Sequence, residues 1–218
     1  MSRIQILRKW LRYNLGLAIY SFGVYCTIHA DIGAAPWDVF YLGLSGFFGV
    51  SYGFVVMVTG VLVVFLDLWM GEKIGFGTLF DAFLTGYYTD FWMHTDPVGS
   101  LVSSWPGRAL LLVAGLFILS LGMFFAMSAG QGCGPKDAMF LGIGKRLRRL
   151  PIGLVQMLLQ AVVLFIGWIL GGPVGAGTVI AVVMSGAALQ IVFRALSFEP
   201  RDTVHYNVIE TLRMLAEG

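Results

Sequence analysis

GAAPWDVFYLG at 33–43 and GCGPKDAMFLG at 132–142 are the two stretches on which the fold turns. They share glycine, proline, aspartate and a Leu-Gly step in one register: Gly33 with Gly132, Pro36 with Pro135, Asp38 with Asp137, Leu42 with Leu141 and Gly43 with Gly142. In an apolar chain, glycine and leucine pair up by composition; proline and aspartate in register do not. Upstream the same spacing pairs Gly16 with Gly115, Ser21 with Ser120 and Gly23 with Gly122. Downstream, after one inserted residue, it pairs Gly53 with Gly153, Met57 with Met157, Phe65 with Phe165, Gly71 with Gly171 and Thr78 with Thr178. A second signature, GFGT at 75–78 and GAGT at 175–178, recurs in both copies. The chain is an internal duplication, and any fold assigned to it must serve both copies.

Composition supplies the solvent. Of 218 residues, 58% are apolar and only 12% charged, with a mean hydropathy of +0.83; soluble domains carry about 25% charged residues. The chain reads as a membrane protein. About 20 apolar residues cross about 30 Å of hydrocarbon as a helix, and six stretches qualify: 13–30, 52–70, 74–93, 109–129, 151–170 and 174–195. Their unbroken apolarity excludes the alternating segments of a transmembrane β-barrel. The basic N-terminus before 13–30 imitates a signal peptide, but 13–30 has its counterpart at 112–129 and is expected to stay. The segments 36–49 and 135–147 are too short or too interrupted to span, the first by Ser45-Gly46 and the second by Lys145, Arg146, Arg148 and Arg149. Both are expected as short interfacial or re-entrant helices.

With the N-terminus in the cytoplasm, every lysine and arginine except Arg108 falls on the inner side, as the positive-inside rule requires. Both termini are then cytoplasmic. Three spans per copy is an odd number, so the second copy enters the membrane from the opposite side. The expected fold is an all-α membrane protein of six transmembrane helices, arranged as two inverted three-helix repeats. Residues 1–96 form the first repeat, 97–107 an external linker, 108–196 the second repeat and 197–218 a cytoplasmic amphipathic tail, with Val204, Val208, Leu212 and Leu215 on one face.

Several functions are excluded. A net charge of +2 without a clustered basic face gives no footprint for nucleic acid. Cys26 and Cys133 lie in separate segments, predicted near opposite membrane faces, so neither a disulfide nor a zinc site is expected. His29, His94 and His205 lack metal-ligand spacing, and no HExxH, GxSxG or P-loop occurs. No catalytic residue, metal or cofactor is expected, and the chain does not read as an enzyme.

The polar residues inside the spans are the candidate site. Asp81 lies seven residues into its span, where a charge costs about 2.5–3.5 kcal/mol and usually serves a pathway. Thr78, Asp81, Thr85 and Tyr88 share one helical face; the second copy answers with Thr178, Ala181, Ser185 and Ala188. Gly33 with Pro36 and Gly132 with Pro135 mark helix starts, and Asp38 and Asp137 in the first turns suit the positive ends of the helix dipoles. The half-helices are expected to converge on a polar cavity, Asp38 reached from outside and Asp137 from the cytoplasm, with Trp37 and Lys136 making the two mouths unlike. Gln156 and Gln160 form an i,i+4 pair. Thr178 and Ser185 complete the set of substrate or ion contacts. His29, Asp67, Asp90 and Asp96, near span ends, are expected to be solvated, and Tyr20, Trp10, Trp69, Trp92 and Trp105 to form interfacial belts.

The ordered set GAAPWD, GCGPKD and GGPVGAGT (171–178) resembles the YczE/YitT-like family of small bacterial integral membrane proteins, over about 13–195. The resemblance implies a multi-pass protein of the bacterial cytoplasmic membrane, of a kind described as transporters or permeases, and assigns no substrate and no catalytic residue. Inverted repeats with short or broken helices recur in secondary transporters, whose sites lie between the repeats. The expected function is a secondary transporter or permease for a small organic solute or ion. The alternative is a membrane receptor or accessory substrate-binding subunit, docking a cytoplasmic or membrane partner through Lys145, Arg146, Arg148, Arg149 and the tail. The lipid bilayer and a small-molecule or ion substrate are the expected partners, and six short spans are compatible with a homodimer.

Overall fold

The computed structural model describes residues 3–72, 74–130, 134–147 and 152–198. It is all-helical among these residues. In chain order come α1 (Arg3–His29), α2 (Pro36–Phe48), α3 (Tyr52–Trp69), α4 (Phe76–Thr95), α5 (Trp105–Ser128), α6 (Pro135–Arg146), α7 (Ile152–Ile169) and α8 (Ala176–Ala195), with a 3-10 turn at Gly99–Leu101 before α5. The order long, short, long, long occurs twice. α3, α5 and α8 are long and apolar enough to cross a membrane by length and composition, and α7 carries a shorter apolar stretch, Leu154–Ile169.

The helix starts follow the chemistry of their first residues. α2 and α6 each begin on a proline, whose missing N–H is no loss at a helix start. Ser51 caps α3 by accepting from the Phe54 N–H at 3.2 Å, and Ser104 caps α5 from Gly107 at 3.3 Å. Gly71 and Gly171 hold the same place after α3 and α7 and both take positive φ, 72° and 87°, a conformation that suits glycine. α1 starts at Arg3, ahead of the expected 13, because a search for apolar runs stops at Arg12 whereas Arg, Lys, Gln and Leu all favour helix. α2 runs unbroken through Ser45-Gly46.

The centre of the bundle is a backbone-to-backbone crossing of α1 and α5, made by the glycines that the repeat aligned. A Cβ at Gly16 would lie 2.5 Å from the Ala126 nitrogen, one at Gly23 2.4 Å from that of Leu119, and one at Gly122 2.3 Å from that of Tyr20. Residues early in α1 meet residues late in α5, so the two helices run antiparallel. The contact is also reciprocal. Gly16 approaches Gly122 and Gly23 approaches Gly115, which is the pattern of a two-fold interface between equivalent surfaces. The flanking helices follow suit: α4 packs on α1 and α8 on α5, while α2 packs on α7 and α6 on α3.

The α2–α7 and α6–α3 crossings differ at one pair of equivalent positions. Gly167 lets α7 close on α2, where its Cβ would sit 2.5 Å from Phe40. The first copy places Asp67 at the equivalent position. Asp67 is fully buried near the end of α3, the helix on which α6 packs, and neither carboxylate oxygen has a hydrogen-bond partner among the described residues. It is therefore not solvated, contrary to expectation: the helix end that it occupies is buried in the bundle. Burying an unpaired charge costs more than burying a neutral amide of the same shape, so the isosteric Asp67→Asn, which removes the charge, is expected to raise the melting temperature of the detergent-purified protein. A lower melting temperature would mean that the carboxylate is compensated.

The two copies differ in one contact. α3 and α4 form a tight antiparallel hairpin in which a Cβ at Gly53 would lie 2.1 Å from the Gly86 carbonyl oxygen. α7 and α8 make no comparable crossing, and a Cβ at Gly186, the counterpart of Gly86, would meet open space.

Candidate functional site

A cavity of about 230 Å³ lies where the two proline-started helices meet, and every helix except α8 contributes to its wall. From α2 come Trp37 and Tyr41; from α6, Pro135, Lys136 and Phe140; from α4, Asp81 and Thr85; from α7, Gln156 and Gln160. α1 adds Tyr13, Leu17 and Tyr20, and α5 adds Met123 and Met127. The first turns of α2 and α6 thus converge as expected. They do not open as two separate mouths: Trp37 and Lys136 face each other, with the Lys136 Nζ 5.5 Å from the Trp37 ring and 5.5 Å from the Tyr41 ring.

The charges are few and placed by hydrogen bonds. Asp81 accepts from the Thr85 hydroxyl one turn along α4 and faces the cavity rather than the outer surface. Asp38 is buried one layer behind the wall, where it accepts from the Tyr52 hydroxyl at 2.7 Å. Lys136 interacts electrostatically with both carboxylates and with Tyr20 and Tyr41. The Trp37 Nε1 is buried and has no hydrogen-bond partner among the described residues. An ammonium in the first turn of α6 sits at the positive end of that helix dipole, a disfavoured place that the two rings and two carboxylates offset.

Of the residues singled out from sequence, Asp81, Thr85, Trp37, Lys136, Pro135, Gln156 and Gln160 line the cavity. The rest of the polar face on α4 does other work. Tyr88 donates to Asn14 of α1, and Thr78 is buried away from the cavity. Part of the stripe therefore serves the α1–α4 contact, which Ser21 reinforces by donating to the Thr85 carbonyl at 3.1 Å. Thr178 accepts from the Gly175 N–H at 3.2 Å in a capping arrangement, and Ser185 is exposed, so neither is a cavity contact. Gly33 and Pro36 also lie off the wall: Gly33 packs against Gly175, which leaves Pro36 as a helix start. Gly132 and the side chain of Asp137 lie outside the described residues, as does the tail from 199.

Other expectations at the span ends change too. His29 is held rather than solvated, its Nε2 2.9 Å from the Gly99 carbonyl oxygen and its Nδ1 3.3 Å from Asp96. Asp96 is exposed, in line with the expectation, and also accepts from Tyr25 at 2.6 Å; Asp90 is half-buried and accepts from Ser51 at 2.5 Å and from the Gly53 N–H at 2.6 Å. Tyr20, expected in an interfacial belt, lines the cavity. The tyrosines at 13 and 41 and the methionines at 123 and 127 went unnoticed as site residues because aromatic and thioether side chains in an apolar chain carry no pattern of their own.

Comparison with known proteins agrees with the family resemblance. The profile of a family of unknown function, DUF6198, matches residues 7–194. The chain is 29% identical to the uncharacterized membrane protein YczE of Bacillus subtilis (strain 168), over 85% of this chain and 86% of that protein. It is 27% identical to the uncharacterized protein YyaS of the same organism, over 84% and 91% of the two chains. A Haemophilus influenzae protein is 24% identical over 84% of this chain and 83% of its own length. No solved structure matches.

Proposed function

The chain belongs to the DUF6198 family of membrane proteins, and on that premise we propose that it is a small secondary transporter, moving a small organic solute or ion by rocking one repeat against the other. In this reading α1, α3, α4, α5, α7 and α8 cross the bacterial cytoplasmic membrane with both termini inside, and α2 and α6 enter from opposite sides as short helices. The observation that carries the reading is the cavity, where the first turns of two equivalent short helices meet around Lys136 and Asp81. Charged groups inside a membrane bundle are costly and mark pathways, and transporter sites lie between repeats at such broken helices.

The antiparallel, reciprocal α1–α5 crossing supports inversion of the copies. The difference between the copies supports alternation. The first repeat is closed at α3–α4 through Gly53 and Gly86, and the second is parted at α7–α8; exchanging those two arrangements is what opening the other side of the cavity requires. The test is uptake into proteoliposomes across a panel of radiolabelled amines, amino acids, carboxylates and monovalent cations. Flux above that of empty liposomes for at least one class, dependent on an imposed gradient, is the expected result. Absence of flux for the whole panel overturns the proposal.

A further inference from the structure

We infer that the cavity takes a small organic monocation with a compact apolar body, and that Lys136 is a tethered occupant of the place where the cation binds. The inference rests on the transporter reading only for what happens after binding. Three features of the site carry it.

The first is formal charge. Among the described residues, Asp38 and Asp81 act on a single ammonium, that of Lys136, so the three groups, counted in their ionised forms, carry one negative charge in excess. An added monocation neutralises that excess, whereas an added anion deepens it. The second is the surface that meets the Lys136 ammonium. It lies 5.5 Å from the centres of both the Trp37 and Tyr41 rings, within the roughly 6 Å over which a ring face attracts a cation. The same rings that meet the lysine ammonium would meet a free one, and the two carboxylates would act on it electrostatically as they act on Lys136. The third is size. A cavity of about 150 Å³ accepts benzene; about 230 Å³ accepts a ring of that size together with a short ammonium arm. Tyr13, Phe140 and Met123 supply apolar wall for the body, and thioether and aromatic contacts adapt to irregular shapes.

Lys136 then acts as an internal competitor. It stands on the first turn of a short helix, at the positive end of that helix's dipole, and it leaves the rings when an outside cation takes its place. This gives the inference an uncommon sign: removing a charged residue from the site strengthens binding. A site for a carboxylate or a zwitterion would behave in the opposite way, because Lys136 would be its direct partner.

The probe is benzyltrimethylammonium, whose charge does not vary with pH, measured by isothermal titration on the full chain in detergent at fixed ionic strength, with benzoate as the anionic counterpart. The wild type is expected to bind the cation weakly and Lys136→Gln to bind it about tenfold more tightly, the equivalent of one cation–π competitor removed. Trp37→Leu, which leaves both charge signs in place, is expected to weaken binding by a similar factor. It also reads the site independently, should Lys136→Gln fail to fold. No binding to any variant, weaker binding in Lys136→Gln, or benzoate binding that disappears in Lys136→Gln would each overturn the inference. Cation binding in the expected pattern without flux rejects transport and leaves this inference standing. Flux of an anion or neutral solute with no cation binding does the reverse.

Discussion

Gly23→Leu is expected to leave no monodisperse folded protein after detergent extraction, and Gly122→Leu to do the same. At both positions the side chain would have to enter space held by the partner helix's backbone. The hypothetical Cβ at Gly23 already lies 2.4 Å from the Leu119 nitrogen and 2.7 Å from its Cα, and that at Gly122 2.3 Å from the Tyr20 nitrogen. Backbone cannot turn aside as a flexible side chain can, so the helices must separate along the whole crossing. In a bilayer that separation is not opposed by a hydrophobic drive, because the helices associate through close packing of small residues. Overpacking a well-filled contact costs about 1–3 kcal/mol, and removal of the crossing brings the loss to a large share of the roughly 5–15 kcal/mol of net stability available to a fold. Gly46→Ala and Gly186→Ala are the matched controls. Both glycines are helical and meet nothing within 4 Å, so alanine there is expected to be neutral or to stabilise by up to about 1 kcal/mol through helix propensity. Size-exclusion profiles and thermal melts of the four variants check the contrast. A well-folded Gly23→Leu would show that α1 and α5 do not meet as described.

Asp81→Asn is the variant expected to affect function most while leaving the fold intact. The amide keeps the shape of the carboxylate and can still accept from Thr85, so the α4 turn retains its local bond. What disappears is the carboxylate that lines the cavity and acts on Lys136. A hydrogen bond to a charged group contributes about 1.5–3 kcal/mol, and 1.4 kcal/mol is about tenfold in an equilibrium constant. Transport of a cation by Asp81→Asn is therefore expected to fall by about 10- to 100-fold at low substrate concentration, with an unchanged melting temperature. Wild-type flux through Asp81→Asn would remove Asp81 from the site.

The fold was largely legible because the duplication, the helix-length apolar runs and the two proline starts are local signals that survive without an alignment. Six long helices and two short ones were expected, and their boundaries fall within a few residues of the observed helices except at α1, where the helix continues back to Arg3; three of them, α3, α5 and α8, are long and apolar enough to cross a membrane. The site was legible in part. A carboxylate in mid-span announces itself, so Asp81 was found; so were Trp37 and Lys136, because they differ where the copies otherwise agree. Which polar residues turn inward together was not legible. Thr78 and Tyr88 share a helix face with Asp81, but helix periodicity gives a direction and not a neighbour, and for Tyr88 the neighbour is Asn14 of α1. Asp67 shows the same gap from the other side. Its place near a span end suggests water, and only the packed bundle reveals that it is covered. The convergence of Trp37 and Lys136 was likewise hidden, since a repeat aligns equivalent positions without saying that they touch.

Everything proposed about transport depends on the two copies lying in opposite senses across one membrane. That is tested by single cysteines at Arg8 and Arg108 in a chain whose Cys26 and Cys133 are replaced by alanine, probed in intact cells with a membrane-impermeant maleimide. The account predicts labelling of Arg108→Cys in intact cells and of Arg8→Cys only after the membrane is opened. Labelling of both positions from the same side would contradict it.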